Sequence, residues 1–311
     1  MSSPGDGRGQ LSTEAVDPAT ARLGELDALG GVELMLAADR RLVETLHAAR
    51  VELARAVETI ADRLASGGRL FYLGAGTSGR LGVLDAAECP PTFQSDPEQV
   101  QGILAGGNAA MFRAVEGAED DREAAGTELC RRGVTAADVV LGITAGGTTP
   151  FVHAGLAHAR ACGALTIFLA CVRVDEVPDD ADISIRLVTG PEALAGSTRL
   201  RAGTATKMAL NLLSTLTMAR LGKVYRNRMV DVDTSCNRKL VARGERLVEE
   251  LVPCTLDRAA ELLAAAGGAV KLAVVMGRLD LDREVATARL AAANGFLDVA
   301  LGERAAPRSA R

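Results

Sequence analysis

Tryptophan is absent from this chain of 311 residues, and aromatic residues make up only 3% of it. Its apolar content, 48% of the sequence, is therefore carried mostly by alanine, leucine and valine, which suit helices packed on a parallel sheet. The six cysteines, Cys89, Cys130, Cys162, Cys171, Cys236 and Cys254, stand singly. No C-x-x-C pair occurs and no histidine stands beside them at metal-ligand spacing, which argues against a zinc site. Positive charge is not in excess either: the net charge is −5 and basic residues are scattered among acidic ones, so a nucleic-acid surface is not expected. No apolar run approaches the roughly 20 residues that span a bilayer. Met1 to Gln10 are polar and glycine-rich, without the apolar core of a leader, so a cytoplasmic protein with reduced thiols is expected. Internal repeats are absent, as are low-complexity tracts beyond the alanine bias.

What is present is an alternation of short apolar runs with helical patterns. From Met1 to about Asp17 the chain reads as disordered. The next stretch, to about Ser66, has helical spacing through Leu23, Leu26, Leu29, Leu34, Leu42, Leu46 and Leu53, and reads as scaffold or partner contact. Strands are expected at Leu70–Leu73, Val100–Leu104, Val139–Ile143, Leu165–Ala170 and Ile183–Val188, which implies a doubly wound five-stranded parallel sheet. A long helix follows over about Thr204–Leu221, then a polar connector over Lys223–Asn237. Further helices, among them Leu256–Ala266 and Arg283–Ala292, lead to an arginine-rich end read as disordered. Three regions are expected: an N-terminal extension (1–59), an α/β domain (60–223) and a connector with a small helical region (224–311).

In open parallel sheets ligands bind beyond the carboxyl ends of the strands, so the loops there carry the chemistry. The first, Gly74-Ala75-Gly76-Thr77-Ser78-Gly79, leads from a strand into a helix, where unpaired N–H groups and hydroxyls suit a phosphate. Its G-x-G-x-x-G spacing also fits a dinucleotide site. That reading wants an acidic residue at the end of the second strand, and Val100–Leu104 ends instead in Ala105-Gly106-Gly107-Asn108, with the preceding helix expected to break at Pro90-Pro91. The second loop, Thr144 to Pro150, supplies Gly147, Thr148 and Thr149. The third, Gly190 to Arg199, supplies Glu192 and Ser197 and leads to Arg201 and Lys207. Any one such loop is an ordinary tight connection. Three at equivalent strand ends point to a phosphorylated sugar.

These segments and several others resemble the N-acetylmuramic acid 6-phosphate etherase family, built on a sugar isomerase (SIS) domain. The similarity covers Leu11-Ser12-Thr13-Glu14 with Asp17-Pro18-Ala19-Thr20, Gly74 to Phe93, Leu104 to Gly107, Ala114 to Asp121, Gly196 to Arg199, Ala202 to Ala205, and Lys223-Val224-Tyr225 with Asn227 and Met229-Val230-Asp231-Val232. The resemblance implies elimination of a D-lactyl ether from a 6-phosphosugar and addition of water, in cell-wall sugar recycling, without metal or redox cofactor. It also implies a homodimer. By motif position Glu88 resembles the family's proton donor and Glu119 its second catalytic carboxylate, with Gly76, Thr77, Ser78 and Gly79 in the phosphate turn. A glutamate on a helix is usually just solvated. Glu119 stands among Glu116, Asp120, Asp121 and Glu123, and Glu116 would share its face if that segment were helical. Glu192 is a third candidate base. His47, His153 and His158 read as helix-surface residues and Cys89 as packing. The family commonly has serine where this chain has Gly146, and a longer polar residue near Thr148. Two alternatives stay open: a non-catalytic sugar-phosphate sensor like the regulators of sugar kinases, and an aldose–ketose isomerase.

Overall fold

Helices come first in the chain: α1 (Ala28–Asp39), α2 (Leu42–Ala48) and α3 (Arg50–Ala65). The computed structural model describes residues 11–232, 234 and 238–305. On α3 the stripe Leu53, Val57, Ile60 and Leu64 recurs at helical spacing and is buried. α1 buries none of its residues, and its Leu29, Val32 and Leu36 are exposed.

The sheet follows, with strands β1 (Leu70–Gly74), β2 (Val100–Leu104), β3 (Val139–Thr144), β4 (Leu165–Ala170) and β5 (Ile183–Arg186). They pair in parallel in the order β2-β1-β3-β4-β5. The expected doubly wound five-stranded sheet is therefore found. β1 and β3 are buried at every residue, as strands covered on both faces must be, and this explains their unbroken apolar sequence. Between the strands lie α4 (Gly76–Phe93), α5 (Ala109–Phe112), α6 (Arg122–Arg131) and α7 (Pro150–Ala161), with α8 (Arg201–Arg220) after β5. Phe71, Leu73, Val140 and Phe168 pack with Leu129 of α6 and with Phe151 and Leu156 of α7. At the opposite end from the ligand loops, the buried Asp138 carboxylate accepts bonds from the Arg69 backbone N–H at 2.9 Å, its guanidinium at 2.8 Å, and Thr135 N–H at 2.8 Å. It ties the start of β1 to the start of β3.

Two expectations are corrected. α4 does not break at Pro90-Pro91 but runs through both to Phe93. Proline's fixed φ is helical and what it removes is an N–H donor; the last turn still closes, with Gln94 N–H donating to the Pro90 carbonyl at 2.8 Å. Nor is the chain disordered as far as Asp17. Leu11 and Thr13 are buried, and the Ser12 N–H donates to Glu176 at 2.7 Å. The remainder of that expectation, over 1–10, lies outside the described residues, as do Cys236, part of the connector, and the end from 306 on.

By compactness the chain divides into Met1–Ala87 with Pro97–Ser214, and Glu88–Asp96 with Thr215–Arg311. The second unit has a two-stranded hairpin, β6 (Val224–Tyr225) and β7 (Arg228–Met229), then α9 (Arg238–Leu251), α10 (Leu256–Ala265), α11 (Val270–Leu279), α12 (Arg283–Ala292) and α13 (Leu297–Ala300). Val248, Leu262, Leu263, Val274 and Val275 are among its core residues. Within it the buried Lys271 ammonium donates to the carbonyls of Gly222 at 2.9 Å and Gly295 at 3.0 Å, and pairs with Asp231 at 2.7 Å. Among the described residues no single helix is long and apolar enough to cross a membrane.

In the first unit, Tyr72 is buried on β1 and its hydroxyl donates to Asp85 of α4 at 2.9 Å, while Ser214 donates to the other carboxylate oxygen at 3.1 Å. Burial pushes the Asp85 carboxyl up to about 6, against the opposing pull of those two hydroxyls and of Lys207. A carboxyl raised in this way is protonated in the folded protein and ionised in the unfolded chain between about pH 4 and 6. The native state then binds the extra proton, so stability is complete below that window and falls as pH rises through it. Asp85→Asn is expected to flatten this part of the profile, removing a slope worth at most roughly 3 kcal/mol. Urea titrations of both proteins at pH 4.5 and pH 7.5 measure it; equal slopes in both proteins would contradict the assignment.

Candidate functional site

β1 lies between β2 and β3, so the chain leaves the sheet in opposite directions from neighbouring strands, and a crevice opens beyond their carboxyl ends. The turn after β1 is tight. A Cβ on Gly74 would lie 2.7 Å from the Gly79 nitrogen, and a Cβ on Gly79 would collide with the Gly74 carbonyl oxygen. Gly76 opens α4 with a φ of +52°, a left-handed conformation in which glycine is favoured. The first N–H groups of α4 thus face the crevice, together with the Thr77 and Ser78 side chains.

The turn after β3 is braced from inside. The Thr144 hydroxyl bonds that of Thr149 at 2.8 Å and accepts from Gly147 N–H at 3.2 Å. His153 Nε2 lies 2.6 Å from the Gly147 carbonyl, and its ring rests tilted against Phe168, with centroids 5.4 Å apart. His153 is therefore not the plain helix-surface residue expected; its ring supports the second loop. A Cβ on Gly146 would come 3.2 Å from Leu11, whose side chain occupies the space beside this position.

The two turns enclose a cavity of about 230 Å³ lined by Gly76, Thr77, Ser78, Thr148, Thr149 and Glu119 among others. Six of the expected site residues thus meet. Leu11 and Glu14 from the N-terminal segment and Thr198 from the third loop also line it. The first two escape a reading of local pattern because they reach the site only through the fold. Among the described residues this cavity is lined by no lysine, arginine or histidine. Any anion held there depends on helix N–H groups and hydroxyls.

The other expected residues lie elsewhere. Gly79 and Gly147 are buried within their turns. Ser197 is next to Thr198 but does not line the cavity. Glu192 is fully buried: its carboxylate accepts from Arg201 N–H at 2.7 Å and Ala202 N–H at 3.0 Å, which caps α8. Burial pushes its pKa up, against those two N–H bonds. Glu88 is exposed on α4 and is not among the residues lining the cavity. Glu116 and Glu119 do not share a helix face, because Gly117 takes a φ of +73° between them and only a short 3-10 turn, Ala118–Asp120, follows. Both nevertheless line a second cavity, of about 320 Å³, which shares Ala75, Gly76 and Glu119 with the first.

A five-stranded parallel sheet with two hydroxyl-bearing turns at its switch point makes this a doubly wound α/β protein with a site at the carboxyl ends of its strands. Residues 52–160 match the family described as the glucokinase regulatory protein N-terminal SIS domain. Over nearly the whole chain the similarity is closer to another group. The N-acetylmuramic acid 6-phosphate etherase of Gloeobacter violaceus is 55% identical over 94% of this chain and 96% of its own length. That of Trichormus variabilis is 54% identical over 93% and 94%. The chain belongs to the N-acetylmuramic acid 6-phosphate etherase family. A solved phosphoheptose isomerase from Francisella tularensis is similar at 16% identity and a TM-score of 0.47, covering 62% of this chain and 100% of its own.

Gly79→Ala is expected to keep the secondary structure but to open the first turn, since the new methyl group meets the Gly74 backbone, which cannot step aside, as well as the Leu104 side chain. Calorimetric titration with inorganic phosphate should show affinity reduced at least about tenfold, from displaced N–H donors. Unchanged affinity would show that this turn does not hold the phosphate.

Proposed function

We propose that this protein cleaves the D-lactyl ether of N-acetylmuramic acid 6-phosphate, releasing D-lactate and N-acetylglucosamine 6-phosphate, as a carbon-oxygen lyase of cell-wall sugar recycling. The observation that carries the reading is Glu119 in the same cavity as the anion turn Gly76-Thr77-Ser78. A protein that only sensed the phosphosugar needs the turn but no carboxylate beside it.

In the reaction proposed, the 6-phosphate binds across the N–H groups and hydroxyls of the two turns. Ring opening leaves an aldehyde at C1, which makes the C2 hydrogen acidic. One carboxylate removes that proton; a second, protonated, group delivers a proton to the C3 oxygen as the lactate leaves. Water then adds across the C2–C3 double bond. Glu119 and Glu88 share these tasks, Glu88 by motif position and Glu119 by motif position and cavity.

Incubation with N-acetylmuramic acid 6-phosphate should release D-lactate, and Glu119→Gln and Glu88→Ala should each lower kcat by about 10²- to 10⁴-fold, the usual worth of a general acid or base. Exchange of the C2 hydrogen in deuterated water assigns the roles: the variant that still exchanges but releases no lactate has lost the acid. Phosphosugar binding without lactate would favour the sensor, and a ketose product the isomerase.

The assembly proposed is a homodimer, and the location the cytoplasm. Apolar side chains left in water on α1 and just beyond it, Leu29 at 67%, Val32 at 56%, Leu36 at 64% and Val43 at 64% exposure, support a second copy. The thiols of Cys130, Cys162, Cys171 and Cys254, none of them in a disulfide, suit a reducing compartment. Sedimentation equilibrium should give twice the chain mass, with Leu36→Asp shifting it toward the monomer; a fully active monomer would refute the dimer.

A further inference from the structure

The substrate proposed above carries two anions, a phosphate on C6 and the carboxylate of the lactyl group on C3. Two anions several bonds apart need two receptors. The first cavity supplies one from N–H groups and hydroxyls. The second, joined to it along Ala75, Gly76 and Glu119, has Arg80 as the single cation in its lining among the described residues.

Arg80 is held but not neutralised. Its Nε donates to the carbonyls of Ala110 at 2.9 Å and Met111 at 3.1 Å, and one terminal nitrogen, Nη2, to that of Arg113 at 3.4 Å. Carbonyl oxygens fix the plane of a guanidinium without cancelling its charge. Among the described residues Arg80 makes no ion pair, and its other terminal nitrogen has no hydrogen-bond partner. Arg80 also stands three and four residues after Thr77 and Gly76 on α4, so the phosphate turn and the guanidinium share one face of one helix, about a turn apart. Glu119 lines both cavities, between the two receptors. The rest of the lining combines small apolar residues, Ala105, Ala110, Ala114 and Ala118, which take a methyl group without polar cost, with Val115 and the Glu116 carboxylate.

We infer that Arg80 binds the carboxylate of the departing lactyl group and so makes this protein select an acidic ether over the plain phosphosugar. The inference rests on the etherase reading. It places the phosphate at one end of the joined cavities, the lactyl carboxylate at the other, and the reacting carbons beside Glu119. Arg80 is a specificity-determining residue here, since the bonds that break lie on the sugar.

The test combines a variant with an altered substrate. Arg80→Gln should lower kcat/KM for N-acetylmuramic acid 6-phosphate by about 10- to 100-fold, the worth of a charge-assisted hydrogen bond. Its affinity for N-acetylglucosamine 6-phosphate, which lacks the carboxylate, should stay within about twofold of the unaltered protein. Arg80→Lys should recover part of the loss. The same substrate with its lactyl carboxylate converted to the amide should lose a similar factor on the unaltered protein and nothing further on Arg80→Gln. That arm does not depend on the variant folding well. Equal weakening of both ligands in Arg80→Gln would show that Arg80 only holds the carbonyls of 110–113; an unaltered protein that treats acid and amide alike would overturn the inference. If the unaltered protein releases no D-lactate from the natural substrate, it is the etherase reading that fails, and this is seen before any variant is made.

Discussion

Gly74 and Gly79 touch backbone to backbone, and the active end of the first unit is organised by that contact. With no room for a Cβ at either position, β1 passes into α4 with almost no intervening chain. The helix start therefore sits directly over the sheet edge, at the point where the neighbouring strand β3 sends its own loop the other way. The same helix then carries Arg80 along its first turns and Asp85 down against Tyr72 and Ser214. One steric constraint thus sets where the N–H groups, the cation and a buried carboxyl stand relative to one another.

The electrostatics follow an economical division. The cavity at the anion turns has two carboxylates in its lining, Glu14 and Glu119, and no side-chain cation. Attraction for a phosphate there comes from peptide dipoles, which act at short range and only in the right orientation. The full positive charge stands about one turn further along α4, at Arg80, in the lining of the second cavity.

The strands were legible because a sheet buried on both faces needs unbroken apolar runs, and all five strand runs are there to be read. The anion turns were legible for a similar reason, since close approach demands glycine in a fixed order. What the sequence does not disclose is set by tertiary contact. Leu11 and Glu14 read as part of a disordered N-terminal stretch until the fold brings Leu11 beside Gly146 of the second loop and Glu14 beside Gly196 of the third. His153 has ordinary helical spacing, and only the Gly147 carbonyl at 2.6 Å gives it a task. Glu192 stands in a strand-end loop like a base, yet its carboxylate is taken up by the N–H groups of Arg201 and Ala202. Pro90-Pro91 reads as a stop, while the geometry of proline at a helix end permits one more turn.

The chain writes its positive charge almost wholly in arginine: of 35 basic residues only Lys207, Lys223, Lys239 and Lys271 are lysines. Three of the four are at least partly open to solvent. The fourth, Lys271, holds the carbonyls of Gly222 and Gly295 and the Asp231 carboxylate at once. Three oxygens around one point match a compact ammonium with three donors, and they do not match a flat guanidinium with its donors in a fixed fork. In a chain that otherwise favours arginine, Lys271 stands where the oxygen geometry suits an ammonium and not a guanidinium.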